Sequence, residues 1–574
     1  MRNSEIAQIF EEIAIYLSME EESFRSRAYR EASDSIAGLG EDLSDIYRRS
    51  GIEGLKNVPG VGVSIAEKIE ELLKTEKLEY YDELKKKTPV ELKELLRVEG
   101  LGPKNIKRLY IDLKIKNLKD LERAVKLHKI RELEGFGEKS EENILKGIEF
   151  LIKAGDRIPL GIALPIAERI KNTLKNLGGV EMIDVAGSIR RRKETIGDVD
   201  ILIVSNKPAP IMDCFVNFPD VARIYGKGAT KSSVRLKDGI DADLRIVRRE
   251  SYGAALCYFT GSKEHNVSLR SIAIKKGLKL NEYGLYSGNK MVAGKTEEEI
   301  YKKLGLKYIS PEMRENLGEI NLAKEKKLPK LINYGEIVGD LQVQTTWTDG
   351  ENSIEECVAA AKKFGLKYIV ITDHTKNLAM THGLDEKRIV EQMKEIDKLN
   401  KKLKSKGDKF TVLKGTECDI LKDGRLDLPD NILSKLDVVG VSVHSYFNLP
   451  KKIQTERVKK AMANKNADIL FHPTGRLIMK REAIDIDIEE IIEHAQKTKT
   501  VLEINGAPER LDFKDEYIRK CIASGVKMAI NSDAHSIYQF GNIEYGVSQA
   551  RRGWATKEDI INAWPLTKMI KMLK

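Results

Sequence analysis

Beyond residue 337, short apolar segments with the length of strands alternate with segments of helical periodicity. After an opening segment at 339–350, six of them follow in order, at Tyr368–His374, Phe410–Ile420, Asp437–Ser445, Ala467–Pro473, Thr500–Gly506 and Lys527–Ser536. Alternation of this kind favours a (β/α) barrel, in which all strands run in the same direction. The second half of the chain is therefore predicted to form a barrel.

Polar side chains of metal-binding type stand at the carboxyl ends of nearly all these strands. They are Asp349, His374, Glu417, His444, His472, Asp533 and His535. Barrel enzymes place their sites at that end. One histidine at a strand end is usually a structural residue, but four of the chain's eight histidines occur in this set beside three acids. The mixture of imidazole and carboxylate groups predicts a Zn²⁺ or Mn²⁺ site.

The sequence around these residues resembles a known domain. The segments TDH, GTECDIL, SVHS, HPTGRL, EINGAPERLD and SDAHS together resemble the PHP (polymerase and histidinol phosphatase) domain, over about residues 333–574. In bacterial and archaeal family X polymerases this domain follows the polymerase core. The resemblance implies a Mn²⁺-dependent 3′–5′ exonuclease, which in some members is also an abasic-site endonuclease.

The opening strand departs from the PHP pattern at two positions. The segment GDLQVQTTWTDG alternates like a strand, so Gln342 and Gln344 project from one face, where the PHP pattern has His-x-His. An amide oxygen is a weak neutral ligand, whereas imidazole is a strong one. The resemblance therefore implies a partly metallated site with weakened or absent exonuclease activity. Natural loss and deliberate replacement of the ligands would both give this pattern.

Three similar segments occur in the first 150 residues. They read VPGVGVSIAEKI, VEGLGPKNIKRL and LEGFGEKSEENIL, with glycine pairs Gly60 and Gly62, Gly100 and Gly102, and Gly135 and Gly137. Such a hairpin leaves N–H groups uncovered next to a helix N-terminus, so it can hold a phosphate. One copy could be an ordinary turn between helices. Three in series resemble the helix-hairpin-helix motif, which implies sequence-independent contacts to the DNA backbone, with Lys104 beside the second pair.

The first of these segments, with RAYREAS at Arg27–Ser33, resembles the small amino-terminal domain of DNA polymerase beta and its family X relatives. The resemblance makes Lys68 the candidate for a Schiff base with the sugar aldehyde of an abasic 5′ end, which requires a depressed lysine pKa. Phe24, Arg25 and Ser64 stand where polymerase beta has a stacking histidine and two phosphate-binding lysines. The alternative is that Lys68 is a solvated helix residue.

Aspartates occur in two predicted strands near the middle of the chain. In DVAGSIRRRKETIGDVDILIVS a strand, a Gly-Ser break and a basic loop precede an apolar strand, which begins with Asp198 and Asp200 on one face. Asp243, or alternatively Asp241, comes from the strand DADLRIV. Neighbouring carboxylates repel unless a cation lies between them, so the pattern predicts Mg²⁺ beside a phosphate-binding loop. A calcium site or solvated strand-end acids are the alternatives.

The order GSIRR, GDVD, DADLR, YFTGSKEHN, NEYGLY over residues 155–317 resembles the family X polymerase core. The resemblance implies that Asp198, Asp200 and Asp243 bind the catalytic metals. It assigns nucleotide contacts to Ser188, Arg191, Tyr258, Phe259, Gly261, Asn266 and Arg270, with Glu282 helping the subdomain to close. Lys263 and His265 depart from the pattern at positions that contact or flank the nascent pair in the family.

Composition and charge fit these predictions. A chain of 574 residues is too long for one core, and residues 101–300 hold 37 Lys and Arg against 27 Asp and Glu, which suits a phosphate-bearing partner. The five cysteines form no CxxC pair, no signal peptide precedes the amphipathic start, and no apolar run of about 18 residues occurs. We therefore expect a soluble protein of the cytoplasm without disulfides.

The predicted fold is multidomain α/β. The expected domains are a helical domain at 1–88, a helix-hairpin-helix domain at 89–154, a nucleotidyltransferase palm with a mixed sheet at 155–249, a nascent-base-pair subdomain at 250–320, a linker at 321–336 and the PHP barrel at 337–574. The resemblance implies a repair polymerase that fills short gaps in DNA with dNTPs, using Mg²⁺ or Mn²⁺. No protein-partner motif stands out. Alternatives are a fully active exonuclease and abasic-site endonuclease in the barrel, a phosphoesterase whose core only places DNA, and a non-enzymatic scaffold for DNA ends.

Overall fold

The computed structural model describes residues 1, 3–37, 39, 41–96, 98, 101–154 and 157–573. These residues form two compact units, one of Met1–Gly155 with Met479–Arg481 and one of Asp156–Ile478 with Glu482–Lys574. Gly100, predicted to contact DNA, lies outside the described residues. Within the described ranges we find no helix whose length and hydropathy would let it cross a bilayer.

The first unit is helical throughout its described part. Its helices are α1 (Asn3–Met19), α2 (Ser23–Ala37), α3 (Leu43–Lys56), α4 (Val63–Thr75), α5 (Glu79–Lys87), α6 (Leu92–Leu95), α7 (Pro103–Leu113), α8 (Leu118–Lys126) and α9 (Glu138–Ala154). Apolar residues at helical spacing, such as Phe10, Leu17 and Leu72, form one core. Local capping also contributes, since the Asn117 side chain accepts a hydrogen bond from Asp120 N at the start of α8.

The described glycines of the predicted repeat all lie directly ahead of helices. Gly62 and Gly102 are the extended residues immediately before α4 and α7, and Gly137 immediately precedes α9. Gly60 and Gly135 have φ values of +73° and +81°, in the left-handed region that favours glycine. The tight hairpin predicted from the sequence is therefore present in the first and third copies.

The second unit begins with a mixed sheet. Its elements are β1 (Ile158–Pro159), α10 (Leu160–Lys175), β2 (Val180–Val185), α11 (Gly187–Arg190), β3 (Thr195–Ile196), β4 (Asp198–Ser205), α12 (Pro208–Val216), β5 (Val221–Lys227), β6 (Lys231–Leu236) and β7 (Asp241–Val247). Five strands form the order β2-β4-β7-β6-β5. Within this sheet β4 and β7 are parallel and the other pairs antiparallel, while β1 pairs with β3 separately. After β4 the chain passes through α12, β5 and β6, and β7 then pairs in parallel with β4.

A small subdomain follows this sheet. It contains a 3₁₀ turn (Arg249–Ser251), α13 (Tyr252–Thr260), α14 (Lys263–Lys275), the antiparallel strands β8 (Lys279–Asn281), β9 (Gly284–Ser287) and β10 (Lys290–Ala293), α15 (Glu297–Lys303), a second 3₁₀ turn (Pro311–Met313) and α16 (Glu319–Glu325). Leu269, Leu285 and Ile300 belong to its core. Of residues 321–336, predicted as a linker, the first five belong to α16, and Ile332 is buried in the core of the next domain.

The remainder is a parallel sheet with helices between the strands. Its elements are β11 (Gly339–Val343), α17 (Ile354–Phe364), β12 (Tyr368–Ile371), α18 (Glu386–Ser405), β13 (Thr411–Asp419), α19 (Asp430–Leu433), β14 (Val438–Ser442), α20 (Lys451–Met462), β15 (Ile469–Leu470), α21 (Ile488–Thr498), β16 (Val501–Asn505), α22 (Asp515–Ala523), β17 (Met528–Asn531), α23 (Ile543–Arg552) and α24 (Leu566–Ile570). The seven strands follow their sequence order. Gln344 N donates to Ala534 O at 2.8 Å, which links the two edge strands. The barrel is nearly closed, as predicted.

Strand residues of the barrel divide between two apolar layers. Ile369 and Ile371 pack with the surrounding helices, while Tyr368 and Val370 pack inside with Trp564 near the carboxyl terminus. This division follows the two-residue period of a strand. The carboxyl ends of all seven strands therefore meet at one rim, which positions the polar residues that follow them.

Candidate active sites

Three aspartates meet on adjacent strands of the mixed sheet. The parallel register of β4 and β7 places Asp200 opposite Asp243 and Asp198 opposite Asp241. These residues share one face because strand side chains alternate. Asp241 pairs with Arg235, whose Nη1 lies 3.0 Å from Oδ1. Asp198, Asp200 and Asp243, the three predicted catalytic residues, therefore lie together at the start of two neighbouring strands.

Repulsion among these carboxylates is only partly balanced by basic side chains. Lys231 Nζ lies 2.9 Å from Asp243 Oδ2, whereas in the described part of the chain Asp198 and Asp200 form no ion pair. Burial, with the charges of Asp198 and Asp243, raises the pKa of Asp200 to about 7. Burial and the charge of Asp243 also raise the pKa of Asp198. A divalent cation would relieve this repulsion, so the cluster fits the predicted metal site.

The loop after β2 packs directly on this cluster. Gly187 has a φ of +63°, and a Cβ there would stand 2.6 Å from Asp200 Oδ2. Ala186 N donates to Asp200 O at 2.8 Å. The close approach requires glycine, so Ser188, the next residue, is held beside the cluster. Ser188 lines a cavity of about 560 Å³ together with Arg191.

Arg191 is held in place by the small subdomain. Its Nε donates to Glu315 Oε1 at 3.1 Å, and its Nη1 donates to Thr260 O. Gly261 has a φ of +72°, and a Cβ there would lie 3.0 Å from Arg191 Nη1. Two residues predicted to serve the nucleotide, Arg191 and Gly261, are thus in direct contact.

The residues predicted to lie beside the sugar and base are grouped in the small subdomain. The Tyr258 and Phe259 rings meet edge to face, with centroids 5.1 Å apart. Asn266 Nδ2 donates to Tyr258 O at 2.7 Å, and Arg270 lines a small hollow with both residues. Phe259 lies under Arg245, whose guanidinium carbon is 4.5 Å from the ring centroid. The structure therefore brings together Tyr258, Asn266 and Arg270.

Lys263 and His265, which depart from the family X pattern, have different surroundings. His265 is fully buried. Its Nδ1 lies 2.6 Å from Glu319 Oε1, and its Nε2 lies 2.8 Å from Tyr301 OH. His265 is therefore a hydrogen-bonded interior residue. Lys263 lines the same cavity as Arg191, and Glu282 is half-buried between β8 and β9.

Two further basic residues of this cavity were not predicted from the sequence. Arg157 Nε donates to Thr195 Oγ1 at 2.9 Å, and the Arg157 charge opposes the rise in the pKa of Asp198. Lys193 also lines the cavity. Pairing of β1 with β3 places Arg157 near the cluster, and no local pattern announces that pairing. The basic run RRRK was the one available signal for Lys193.

Glu417 is the centre of the predicted metal site at the barrel rim, and it is 1% exposed. Its Oε1 lies 2.7 Å from His472 Nε2 and 3.0 Å from His444 Nε2, and its Oε2 lies 3.7 Å from His374 Nδ1. Burial raises the pKa of Glu417, but the charges of His374 and His444, together with hydrogen bonds from His444 and His472, outweigh burial and hold that pKa well below its usual range. The carboxylate is therefore ionised and already surrounded by donors.

Gln342 and Gln344 point at the same carboxylate. Their Nε2 atoms donate to Glu417 Oε2 at 3.0 and 2.9 Å. Both side chains are buried, and Gln342 Oε1 accepts from Asn505 Nδ2 at 3.3 Å. An amide N–H is a donor and cannot bind a cation. Both glutamines therefore donate to Glu417 Oε2, the oxygen that would bind a cation held by a His-x-His pair.

Other predicted ligands keep an arrangement suited to a cation. Asp349 Oδ2 lies 3.6 Å from His374 Nε2 and 3.7 Å from His535 Nε2. Potential ligand atoms of these three residues, and of the set His374, Glu417 and His444, lie within 4.8 Å of one another. His374 Nδ1 is buried and has no hydrogen-bond partner among the described residues, as expected of a nitrogen that binds a metal ion. Both groups could hold a divalent cation.

Asp533 is engaged by protein groups instead. Its Oδ2 accepts from Asn505 Nδ2 at 3.0 Å and lies 3.3 Å from Arg510 Nε. Burial raises the pKa of Asp533, but the Arg510 charge leads the effects that lower it below its ordinary value. Asp533 and His472 have φ values of +55° and +26°, which are uncommon for residues other than glycine and recur at functional sites. The negative charge of Asp533 is therefore already balanced by protein groups.

Lys68, the lyase candidate in the helical unit, is half-buried on α4. Its Nζ lies 3.0 Å from Ser64 Oγ and 5.2 Å from the centroid of the Tyr80 ring. Burial and the charge of Arg25 lower the pKa of Lys68. Phe24 is 85% exposed. Lys104, the other predicted basic contact, is exposed and lies 2.9 Å from Glu21 Oε1.

Comparison with protein families matches both halves of the chain. The helix-hairpin-helix domain matches residues 1–78, and a SAM-like tandem of the same motif matches 52–116 and 92–149. The DNA polymerase beta thumb matches residues 255–315. The PHP domain matches residues 340–507. The resemblances to the helix-hairpin-helix motif, the family X polymerase core and the PHP domain are therefore confirmed at the level of the family.

Relatives extend the match over the whole chain. The sequence is 36% identical to the DNA polymerase/3′-5′ exonuclease PolX of Bacillus subtilis (strain 168), across the full length of both proteins. It is 26% identical to DNA polymerase lambda of Rattus norvegicus over 54% of this chain and 56% of that protein. A probable phosphatase of Thermoanaerobacter sp. (strain X514) is 28% identical over 37% of this chain and 84% of that protein. The chain belongs to the family X DNA polymerases that carry a PHP domain.

Proposed function

We propose that this protein is a DNA-directed DNA polymerase that extends a primer 3′ end across short gaps, with dNTPs as substrates. The observation that carries the proposal is the cluster of Asp198, Asp200 and Asp243, in which neighbouring carboxylates repel each other and two of them, Asp198 and Asp200, form no ion pair with any residue that the structure describes. Such a cluster is chemically suited to divalent cations and a polyphosphate.

The three aspartates would hold Mg²⁺ or Mn²⁺. Divalent cations bound there would activate the primer 3′-hydroxyl and neutralise charge that develops on the triphosphate. Ser188 and Arg191 would orient the phosphates at the cavity that they line. Arg191 is suited to this role because Glu315 and Thr260 already fix its guanidinium, so little rotamer entropy is lost on binding.

Residues of the small subdomain would position the rest of the nucleotide. Tyr258 and Phe259 would lie against the sugar, where their bulk disfavours a ribose 2′-hydroxyl. Asn266 and Arg270 would contact the base or help the subdomain close around it. The grouping of Tyr258, Asn266 and Arg270 around one hollow supports this assignment.

The helical unit would bind gapped or nicked DNA through its backbone. Exposed glycines ahead of three helices offer N–H groups for phosphates without contacting bases: Gly60 and Gly62 before α4, Gly102 before α7, and Gly135 and Gly137 before α9. Lys68 is the candidate nucleophile for removal of an abasic 5′ sugar phosphate, which its lowered pKa supports. Borohydride trapping of a protein–DNA adduct by the wild type, but not by Lys68→Ala, would test that role.

The PHP barrel would be a weakened or inactive 3′–5′ exonuclease. Hydrogen bonds from Gln342 and Gln344 to Glu417 support this, since they place donors where a cation would be needed. Asp349, His374 and His535, with His444, would still hold Zn²⁺ or Mn²⁺. The barrel would therefore bind metal without assembling its full centre.

A time course on 5′-labelled primer across a one-nucleotide gap tests both proposals. With Mn²⁺ and dNTPs we expect extension by one nucleotide, and without dNTPs we expect no shortening over the same period. Binding to the gap without extension would support the DNA-end scaffold and overturn the polymerase proposal. Rapid shortening without dNTPs would show that the remaining ligands suffice for a fully active exonuclease, contrary to our interpretation of the glutamines.

A further inference from the structure

The cavity beside Ser188 and Arg191 has walls from three parts of the second unit. The loop around Ser188 and the start of α14 at Lys263 form two of them. The third wall comes from the barrel, through Lys514, which precedes α22, and Arg552 at the end of α23. The cavity volume of about 560 Å³ is in the range of small-molecule sites.

The cavity has an excess of positive charge that the protein does not neutralise. Six cationic and four acidic side chains line it. Among the acids, Glu194 is paired outward with Arg476 at 2.8 Å. Lys193, Lys263 and Lys514 make no ion pair with any described residue. A ligand with several negative charges close together would satisfy these ammonium groups.

Arg552 connects the barrel to the arginine that would bind the phosphates. It is 4% exposed, and its Nη1 donates to Arg191 O at 2.7 Å and to Glu315 Oε1 at 3.0 Å. Its Nη2 donates to Asp515 Oδ2 at 2.6 Å. Glu315 Oε1 also accepts from Arg191 Nε, so one carboxylate oxygen joins the two arginines. Arg552 thus fixes both the backbone and the side chain of Arg191.

Neighbouring contacts keep this face of the barrel in place. Arg551 Nε donates to Glu312 Oε1 at 2.7 Å, and Tyr334 OH lies 3.1 Å from Ser548 Oγ. Tyr545 of α23 packs against the core of the mixed sheet. The barrel wall of the cavity is therefore part of the same packed structure as the aspartate cluster.

We propose that the barrel completes the nucleotide pocket of the polymerase: Lys514 contacts the phosphates of the incoming nucleotide, and Arg552 is the positioning residue for Arg191. The ligand class is a nucleoside triphosphate with its divalent cation. This inference rests on the proposed polymerase function, because it takes the pocket at Ser188, whose neighbour Gly187 packs against Asp200, as the nucleotide site. It gives the PHP domain a task in synthesis that does not depend on nuclease activity.

The test measures binding and synthesis separately on the full-length protein. Binding of dCTP with Mg²⁺, and of inorganic tripolyphosphate, is measured by calorimetry without DNA. Single-nucleotide gap filling gives kcat and the KM for dCTP. Lys514→Ala should weaken both ligands by about tenfold, as for loss of one charge-assisted hydrogen bond, and raise KM with kcat within about twofold. The matched control is Lys520→Ala, on α22, the helix that Lys514 precedes, and paired with Glu489 outside the cavity.

Arg552→Lys keeps the buried charge but cannot reach Arg191 O, Glu315 and Asp515 together. We expect KM for dCTP to rise by about fivefold with kcat within about twofold, and the thermal midpoint to fall by a few degrees, since one or two buried hydrogen bonds are lost. If Lys514→Ala and Lys520→Ala bind dCTP equally, or if the wild type binds neither ligand, the inference is wrong. Selective loss of binding in Lys514→Ala without extension by any variant would instead refute the proposed polymerase function alone.

Discussion

The aspartate cluster and the barrel rim both collect acids, but they balance charge in opposite ways. At the cluster, burial, together with repulsion by Asp198 and Asp243, raises the pKa of Asp200 to about 7, and Asp198 and Asp200 form no ion pair in the described chain. At the rim, four donors surround Glu417, and nearby histidines hold its pKa well below the usual range. Protein groups leave the carboxylates of the first site largely uncompensated, whereas they already donate hydrogen bonds to the central carboxylate of the second.

The difference shows that ligand types alone do not define a metal centre. Glu417 has the right chemistry to bridge cations, yet Gln342 and Gln344 direct N–H groups to its Oε2. A buried carboxylate with enough donors gains little from a metal ion, because its desolvation is already offset. Repelling carboxylates such as Asp198 and Asp200 gain much more.

The largest effect is expected at the aspartate cluster. Asp200→Asn or Asp243→Asn should lower kcat/KM for gap filling by about 10³-fold or more, or about 4 kcal/mol of transition-state stabilisation, because the cation site is lost. Single-turnover extension of labelled primer measures it. Asp241→Asn, on the same face of β7 and paired with Arg235, is the control and should retain extension within about threefold. Equal losses in Asp241→Asn and Asp243→Asn would contradict the assignment.

The next largest effect concerns how the free energy of unfolding depends on pH when divalent metals are chelated. The pKa of Asp200 is raised in the folded state. The stabilisation of the folded protein by its protonated carboxyl group is therefore fully present below about pH 4 and is lost as pH rises through about 7. Asp200→Asn should therefore gain stability over the wild type between about pH 4 and 7, by up to about 4 kcal/mol, and the gain should level off above pH 7. Urea unfolding across this pH range measures it.

If the difference in unfolding free energy between the wild type and Asp200→Asn does not change with pH, the pKa of Asp200 is not raised in the folded state. Saturating Mg²⁺ should reduce the difference above pH 7, because the cation stabilises the ionised carboxylates of the wild type. Gln342→Asn serves as a control, since a neutral substitution at the rim should not create the same pH profile.

Placing histidines at positions 342 and 344 tests whether the two glutamines limit the barrel site. Gln342→His with Gln344→His should raise Mn²⁺-dependent shortening of a 3′ end by about 10- to 100-fold, because imidazole replaces two donors with ligands. Degradation of labelled single-stranded DNA measures it. Gap filling should be unchanged in the same variant. If degradation does not increase, a group other than the two glutamines limits the site, with Arg510 beside Asp533 as the first alternative.

The smallest effect is metal stabilisation of the unmodified barrel. Mn²⁺ should raise the thermal midpoint by a few degrees, corresponding to about 1–2 kcal/mol at moderate excess over the dissociation constant. His535→Ala should reduce that rise, because Asp349, His374 and His535 form one candidate group. Differential scanning calorimetry with and without EDTA measures it. His494→Ala, away from the rim, is the control, and an equal rise in both variants would place the metal elsewhere.

Local pattern predicted most of the architecture and many of the site residues. The two-residue period placed Asp198 and Asp200 on one face, and the alternation beyond residue 337 predicted the barrel with its polar rim. Asp241 and Asp243 could not be separated in this way, because both lie on the same face of one strand. Only the register of β7 against β4 sets Asp243 opposite Asp200.

Other assignments depended on contacts between distant segments. The sequence predicted that glutamines are weak ligands, but it could not predict that both amides donate to Glu417. Nor could it predict that Glu319 and Tyr301 hold the imidazole of His265 in the interior. Arg157 and Arg552 were not predicted at all, since they reach the pocket through packing of elements far apart in the chain.

The sequence by itself determined the chemistry available to this protein: the acids, the imidazoles, the glycine hairpins and the order of strands and helices. It could do so because backbone geometry fixes the direction of each side chain every two or 3.6 residues. The tertiary structure decided which of these groups meet, and so which acids still need a cation and which are satisfied by an amide or a guanidinium. Those partners are chosen by the sum of many packing contacts between distant segments, which no local pattern contains.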